Sequence, residues 1–237
     1  MESLNFVVDE WNVVENSFDP NRQMIAESVF SIGNGHMGQR ANFEEVFTGK
    51  TMPGNYIGGV FFPDKTRVGW WKNGYPDYFA KVINAPSWTG IHTWVNGHVL
   101  DFAKVTIISF ERQLNMKEGT LSKTCVVEMP DGVRLRIASK RLVSMVSVEI
   151  GTIHYAITAE NADCSLCVKS QIQSRVYNQD SNYDECFWES VSQQNDDEAI
   201  VAVDRTIPNP YDVPQFTIAT AITHTYSHAV SKAHTTD

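Results

Sequence analysis

The sequence predicts an all-β protein, an antiparallel sandwich or barrel large enough to form a double sheet, with few or no helices. Three observations predict it. The dominant apolar period along the chain is two residues. Tight-turn dipeptides, Asp131-Gly132 and Asn96-Gly97, sit between alternating runs. A period of 3.6 is nearly absent, and many short strands with few helices mean a sandwich or a barrel.

Taken in order, 21–30 (NRQMIAESVF) has room for one short turn of helix, although Ser28 to Ile32 leads into a strand equally well. Residues 31–40, SIGNGHMGQR, are glycine-rich, and residues 68–82 are aromatic and irregular. IHTWV-NG-HVLDF reads as a hairpin around Asn96-Gly97, and FERQLNMKEGTLSKTCVV as another around Lys117 to Gly119. In KTCVVEMP-DG-VRLRIASKRLV a third turn, Asp131-Gly132, precedes a strand alternating Val133, Leu135 and Ile137 with Arg134 and Arg136. Residues 145–176 supply two more strands, split by Glu160 to Asp163, and QFTIATAITHTY is a late strand. The tail, SHAVSKAHTTD, is polar and unpatterned, as the start of a linker would be. No repeat and no low-complexity tract interrupts this order.

Composition narrows the class. Of 237 residues, 42% are apolar and 20% charged, the balance of a globular chain. A chain this long buries roughly 70% of its unfolded surface and needs no disulfide or metal to fold. The net charge of −9 argues against a nucleic-acid surface and suits a small neutral or polar ligand. No apolar run reaches the ~18 residues of a membrane span. MESLNFVVDEWNVVEN has no basic n-region and does not read as a signal peptide. Cysteines at 125, 164, 167 and 186 do not make a secreted disulfide framework; they read as free thiols in a reducing cytoplasm.

The candidate motifs each have a plain structural alternative. Cys164-Ser-Leu-Cys167 lacks the second pair that a zinc site needs and the helix N-terminus that a redox site needs. His224 and His228 share a face but have no acidic or cysteine partner nearby in sequence, so no metal is expected. Gly33, Gly35 and Gly38 fit G-x-G-x-x-G, which binds phosphate only where it joins a strand to a helix N-terminus. No helical stripe follows, so a tight turn or strand crossover is expected instead. Paired carboxylates occur at Glu44-Glu45 and Asp196-Asp197, but adjacency is not the facing geometry of glycoside chemistry.

Longer stretches carry a resemblance. ESVFSIGNGHMGQRANFEE resembles the N-terminal signature of glycoside hydrolase family 65. GNYIGGVFFPDKTRVGWWKNGYPDYFAKVINAPSWTGI and NPYDVPQFTI resemble most the maltose phosphorylase branch of that family; kojibiose, trehalose and trehalose-phosphate phosphorylases are near relatives. The resemblance implies a galactose mutarotase-like antiparallel super-sandwich, with residues 1–237 forming a single N-terminal domain. A helical linker, an (α/α)6 catalytic barrel and a C-terminal sheet would lie outside this chain. It further implies inverting phosphorolysis by the whole enzyme: a barrel glutamic acid protonates the glycosidic oxygen, and inorganic phosphate attacks from the opposite face. Maltose would yield β-glucose 1-phosphate and glucose, with phosphate as co-substrate, no metal and no organic cofactor. No catalytic residue falls on this chain, which alone is expected to be inactive.

On this reading Trp70, Trp71, Lys72, Asn73, Tyr75 and Tyr78 are substrate-cleft or interdomain residues. Aromatic faces stack on sugar C–H faces at small entropy cost, and equally pack against a barrel or a dimer partner. Gly33, Gly35, Gly38 and Arg40 are structural, with Arg40 expected to pair with Glu44 or Glu45. The expected partners are the chain's own barrel, a disaccharide and a second copy in a homodimer; nucleic acid and membrane are not. Two alternatives stay open. One is a stand-alone carbohydrate-binding sandwich. The other is a mutarotase-like sugar isomerase, for which His92, His154 and His224 are the available acids.

Overall fold

A computed structural model describes residues 6–67, 74–178, 185–196 and 199–227. In chain order the elements are β1 (Phe6–Val8), β2 (Asn12–Glu15), α1 (Gln23–Val29), β3 (Ile32–Gly33), β4 (Met37–Gln39), β5 (Asn55–Ile57), β6 (Phe61–Lys65) and β7 (Tyr78–Val82). There follow β8 (Ile91–Val95), β9 (His98–Val99), β10 (Thr106–Asn115), β11 (Thr120–Glu128), β12 (Arg134–Val143), β13 (Gly151–Ala159), β14 (Leu166–Ser170), β15 (Trp188–Asn195), β16 (Ala199–Thr206) and β17 (Thr217–Thr223). Their contacts divide them into two compact units. One lies within Met1–Gly58 and Thr89–Ser170, the other within Gly59–Trp88 and Gln171–Asp237.

The first unit is built on a six-stranded antiparallel sheet in the order β1-β2-β10-β11-β12-β13. Its hairpin turns are the ones that dipeptide chemistry predicts. Asn96 and Gly97 both take positive φ (49° and 83°), the geometry of a type I′ turn, and Gly132 takes 85°. Two smaller sheets, β14-β8-β9 and β3-β4-β5, complete the unit. The register of the main sheet sorts its buried face into rows. Phe110, Cys125, Ile137 and Ile157 stand opposite one another across four strands. With Phe43, Leu100, Phe102, Val127 and Leu135 they make the core, where Phe18, Phe43, Phe47 and Phe110 meet mostly edge to face.

The neighbouring row on the same face is polar. Glu15, Arg112, Lys123, Ser139 and Tyr155 oppose one another across β2, β10, β11, β12 and β13. Glu15, Arg112, Lys123 and Ser139 are buried.

The single helix among the described residues, α1, is two turns long and has no side-chain cap and no acidic residue in its first turn. Its amphipathicity is inverted. Gln23 and Glu27 are buried, and Met24, Ile25 and Val29 are exposed. The polar stripe faces inward because Gln23 Oε1 accepts from Arg112 Nη2 at 2.9 Å, and Glu27 accepts from Gln23, from the Thr51 hydroxyl and from the Met52 N–H.

The second unit consists of the β6/β7 hairpin and the antiparallel sheet β15-β16-β17. Trp188 anchors it: its indole N–H donates to the Asn84 carbonyl at 2.7 Å, while the Asn84 N–H donates to Asn178 Oδ1.

Candidate functional site

The aromatic segment at 68–82 ends in the return strand of the β6/β7 hairpin. Trp70, Trp71, Lys72 and Asn73 lie outside the described residues; Tyr75 and Tyr78 lie within them. Lys65 pairs with Tyr78 at the end of the ladder. Just beyond it the Thr66 N–H donates to the Asp77 carbonyl at 3.0 Å and the Thr66 hydroxyl to the Pro76 carbonyl. Gly74 takes φ 81°, which explains why glycine stands there.

Both flanks of this hairpin are clamped within the second unit. On one flank, Phe61 packs on Phe216 (5.2 Å between ring centres), and Tyr78 on Tyr211 (4.6 Å). Tyr211 is held by an Asx turn: Asn209 Oδ1 accepts its N–H, Asn209 Nδ2 donates to the Val213 carbonyl, and Asp212 takes φ 58°. On the other flank, Arg67 bridges Asp64 (3.3 Å) and Glu185 (3.1 Å), Lys81 pairs with Asp64, and Phe62 lies 4.6 Å from Phe187. The clamps then decide exposure. Tyr78 and Lys81, on opposite faces of β7, are each partly covered by one flank, while Tyr75, Phe79 and Val82 remain exposed, with the Tyr75 and Phe79 rings 6.1 Å apart. The structure therefore presents a pinned hairpin with two exposed aromatic rings, Tyr75 and Phe79.

The glycine signature forms a second feature, in the first unit. Gly33 pairs with Gly38 in the β3/β4 hairpin, and Gly35 at its turn takes φ 85°. A Cβ at Gly33 would stand 3.2 Å from the Met37 carbonyl oxygen, so the close backbone approach needs glycine. The motif joins two strands and not a strand to a helix, so it lacks the N-terminal amide cradle that phosphate binding uses. Arg40 does not meet Glu44 or Glu45. Its Nη1 donates to Ser28 Oγ at 2.7 Å, because the two acids are already taken.

What takes them is a buried ionic cluster whose pairing sequence pattern does not identify. Lys123 Nζ lies 2.8 Å from Glu44 and also contacts Glu45; Arg141 Nη2 lies 2.6 Å from Glu44. The Tyr155 hydroxyl donates to Glu45 at 2.7 Å and the Ser139 hydroxyl to Glu44. Beside it, Arg112 pairs with Glu15 at 3.0 Å and lies over the rings of Phe30, Phe43 and Phe110. Burial alone would push the Glu44 pKa up, but Lys123 and Arg141 override it and hold the carboxyl far below its usual range. Burial would likewise lower Lys123, yet Glu44 and Glu45 leave its pKa raised. Burial, aided by Glu45, pushes Tyr155 well above a free phenol. These carboxylates are enclosed and fully engaged. They cross-link the 40–46 segment to the main sheet.

The remaining candidates lie on different elements. His92 lies on β8 and His154 on β13, in the first unit; His224 lies in the second, its ring 5.9 Å from Tyr226, and His228 is outside the described residues. Cys164 precedes β14 and Cys167 lies on it; all four cysteines are free thiols. Among the described residues no group of three or more His, Cys, Asp or Glu is arranged to hold a metal, and no helix is long and apolar enough to cross a membrane.

Comparison with known proteins gives this arrangement a context. The chain is 42% identical to the maltose phosphorylase of Bacillus subtilis (strain 168), over 92% of its own length and 28% of that protein's. It is 27% identical to the kojibiose phosphorylase of Thermoanaerobacter brockii over 75% of its length, and 27% identical to the α,α-trehalose phosphorylase of the same organism over 72%. The chain thus spans about a quarter of the length of the curated relatives it matches. A solved structure from the human microbiome, described as a candidate kojibiose phosphorylase, superposes with a TM-score of 0.75 over 92% of this chain and 30% of its own, at 21% identity. That likeness shows the fold. With antiparallel pairing between all the strands of the described sheets, it bears out the all-β super-sandwich expectation. The model of the family described as glycosyl hydrolase family 65, N-terminal domain, matches residues 13–237, and the chain belongs to that family.

Proposed function

We propose that this chain is the non-catalytic N-terminal domain of a longer inverting disaccharide phosphorylase, acting with phosphate on maltose to give β-glucose 1-phosphate and glucose. The observation that carries the reading is the 42% identity to a maltose phosphorylase over nearly the whole chain, against 26–29% to kojibiose phosphorylases and 27% to an α,α-trehalose phosphorylase. The geometry supports a non-catalytic role. One adjacent acid pair, Glu44 and Glu45, is neutralised in the interior by Lys123 and Arg141. A glycosidic general acid must instead reach the leaving oxygen. The reaction draws its acid and its phosphate site from the catalytic portion and needs no metal or organic cofactor.

The contribution of this chain is positioning. The clamped β6/β7 hairpin holds Tyr75 and Phe79 outward, and the sequence between its two strands carries Trp70 and Trp71. We assign this aromatic edge to the rim of the sugar cleft, where rings stack on a hexose face. Four free thiols fit a cytoplasmic enzyme, which we take to work as a homodimer.

The test uses the full-length enzyme. Incubation with maltose, trehalose, trehalose 6-phosphate and kojibiose, with and without phosphate, should release glucose 1-phosphate from maltose alone and only with phosphate. Sugar consumption without phosphate would defeat the phosphorylase reading. Release from kojibiose instead would move the specificity. Trp70→Ala and Trp71→Ala should raise KM for maltose; unchanged KM in both removes the rim from the cleft and leaves it as an interdomain contact.

A further inference from the structure

The Gly-Asn-Gly turn and the loop joining β12 to β13 form one assembly. Asn34 spends its whole side chain on it. Its Oδ1 accepts the His36 and Met37 N–H groups at 2.9 and 2.8 Å, and its Nδ2 donates to the Ser144 and Val148 carbonyls at 2.6 and 2.9 Å. The loop also closes on itself. Ser144 N donates to Ile150 O, Ile150 N donates to Ser147 O, and the Ser144 hydroxyl accepts from the Val146 and Ser147 N–H groups. On this fixed frame the large apolar side chains face outward: Met145 is 74% exposed, Val146 94% and Ile150 53%. Scattered exposed apolar residues are ordinary, but three on one hydrogen-bonded loop of seven residues form a preorganised patch. A loop already held in shape loses little entropy on binding.

We propose that the 144–150 loop is a docking knob for the catalytic portion of the same polypeptide. Met145 and Val146 enter an apolar socket there, and Asn34 is the positioning residue that sets the knob. The inference rests on the reading of this chain as the N-terminal domain of a longer phosphorylase. Length selects the occupant. The chain accounts for 28% of the maltose phosphorylase it matches, so most of such a polypeptide lies outside it. Size agrees. Separate proteins need about 800 Å² per partner for a stable interface, which a few side chains cannot supply. A tethered partner has a high effective concentration and needs no more than a local apolar contact.

The test places a photo-crosslinker in the full-length enzyme by Val146→p-benzoylphenylalanine, a change at a solvent-exposed position. Irradiation should give a cross-linked species of single-chain mass, with peptides containing residue 146 joined to peptides beyond Asp237. Adding Asn34→Ala should lower that yield, and Met145→Ser with Val146→Ser should lower the melting temperature of the full-length enzyme. Cross-links joining two chains would show that a second copy covers the loop and would overturn the proposal, as would irradiation without any cross-link. Glucose 1-phosphate release by the same preparation is scored separately. An active enzyme without the intramolecular cross-link loses the docking knob only, and an inactive one loses the phosphorylase reading while the cross-link still decides the docking.

Discussion

Lys123 is the residue on which the interior of the first unit most depends. It compensates two buried carboxylates at once, and Glu45 has no cation besides it among the contacts described. Removing one partner from a buried ionic group leaves charge uncompensated and costs about 3–5 kcal/mol. Lys123→Met should destabilise the protein by that amount in denaturant melts. The sign of the pH dependence follows from the shifts. The depressed Glu44 pKa contributes stability above the unfolded value of about 4.3 that is lost as pH falls through the folded value. The raised Lys123 pKa contributes stability below about 10.4 that is lost as pH rises through the folded value. In the variant Glu44 keeps only Arg141 against its burial, so the depression of its pKa shrinks and the gap to wild type should be widest near neutrality and narrow toward pH 4. A gap that does not change with pH would mean that packing and not charge is what Lys123 supplies. Asp204 is the converse case. It is fully covered, Ser174 is the partner of Oδ2, Oδ1 has none, and burial raises its pKa. Its ionised form therefore costs stability above the unfolded value, and Asp204→Asn should stabilise the protein at pH 7 by about 1 kcal/mol. The buried cations are partly legible in the sequence: Arg112, Lys123 and Arg141 occupy the inward phase of strands whose other inward residues include Phe110, Cys125 and Ile137. A cation in an apolar phase signals a buried partner. Which acid answers it is not legible, because Glu44 lies about eighty residues away and arrives only through the fold.

The hairpins and the helix stand at opposite ends of what local chemistry can specify. Asn96-Gly97 and Asp131-Gly132 encode their turns in two residues, since positive φ is cheap for glycine and tolerated by asparagine. The structure places a turn at each. Helix α1 has no such code. Its seven residues lack a cap, and its exposed stripe is Met24, Ile25 and Val29, so the usual amphipathic pattern points the wrong way. Tertiary bonding of Gln23 and Glu27 decides its orientation. Arg40 departs from expectation for the same reason: sequence proximity to Glu44 predicts a pair, whereas the fold brings Lys123 and Arg141 of the sheet against it and leaves Arg40 on Ser28. The signature turn can be dissected at element level. Gly35 has φ 85° and open space where a Cβ would stand, so Gly35→Ala should cost only the conformational term, about 1 kcal/mol. Gly33→Ala must also move the Met37 carbonyl, 3.2 Å away, and should cost more. Thermal melts of the two variants side by side check the order; equal losses would place the strain in φ alone.

At the level of the whole molecule, the distribution of exposed apolar residues argues for missing neighbours. Val7, Val8 and Trp11, Met24, Ile25 and Val29, and Met145, Val146 and Ile150 are exposed on the first unit; Tyr75, Phe79 and Val82 are exposed on the second. A net charge of −9 keeps such a chain soluble, but it does not remove the cost of that surface in water. The curated relatives it matches run to more than three times its length, and on the proposed reading the rest of such a polypeptide supplies the cover. This yields a comparison that needs no assumption about the substrate. Per mole, the 237-residue chain should bind an apolar fluorescent dye more strongly than the full-length enzyme does, and size-exclusion chromatography should show it self-associating as concentration rises. Equal dye binding by the two proteins would mean that these residues stay solvent-facing in the whole enzyme. The aromatic hairpin would then have to be explained by sugar contact alone, since an interdomain role predicts that Tyr75 and Phe79 become covered. If dye binding falls in the full-length enzyme and maltose lowers it further, both neighbours share the hairpin, the protein on one side and the substrate on the other.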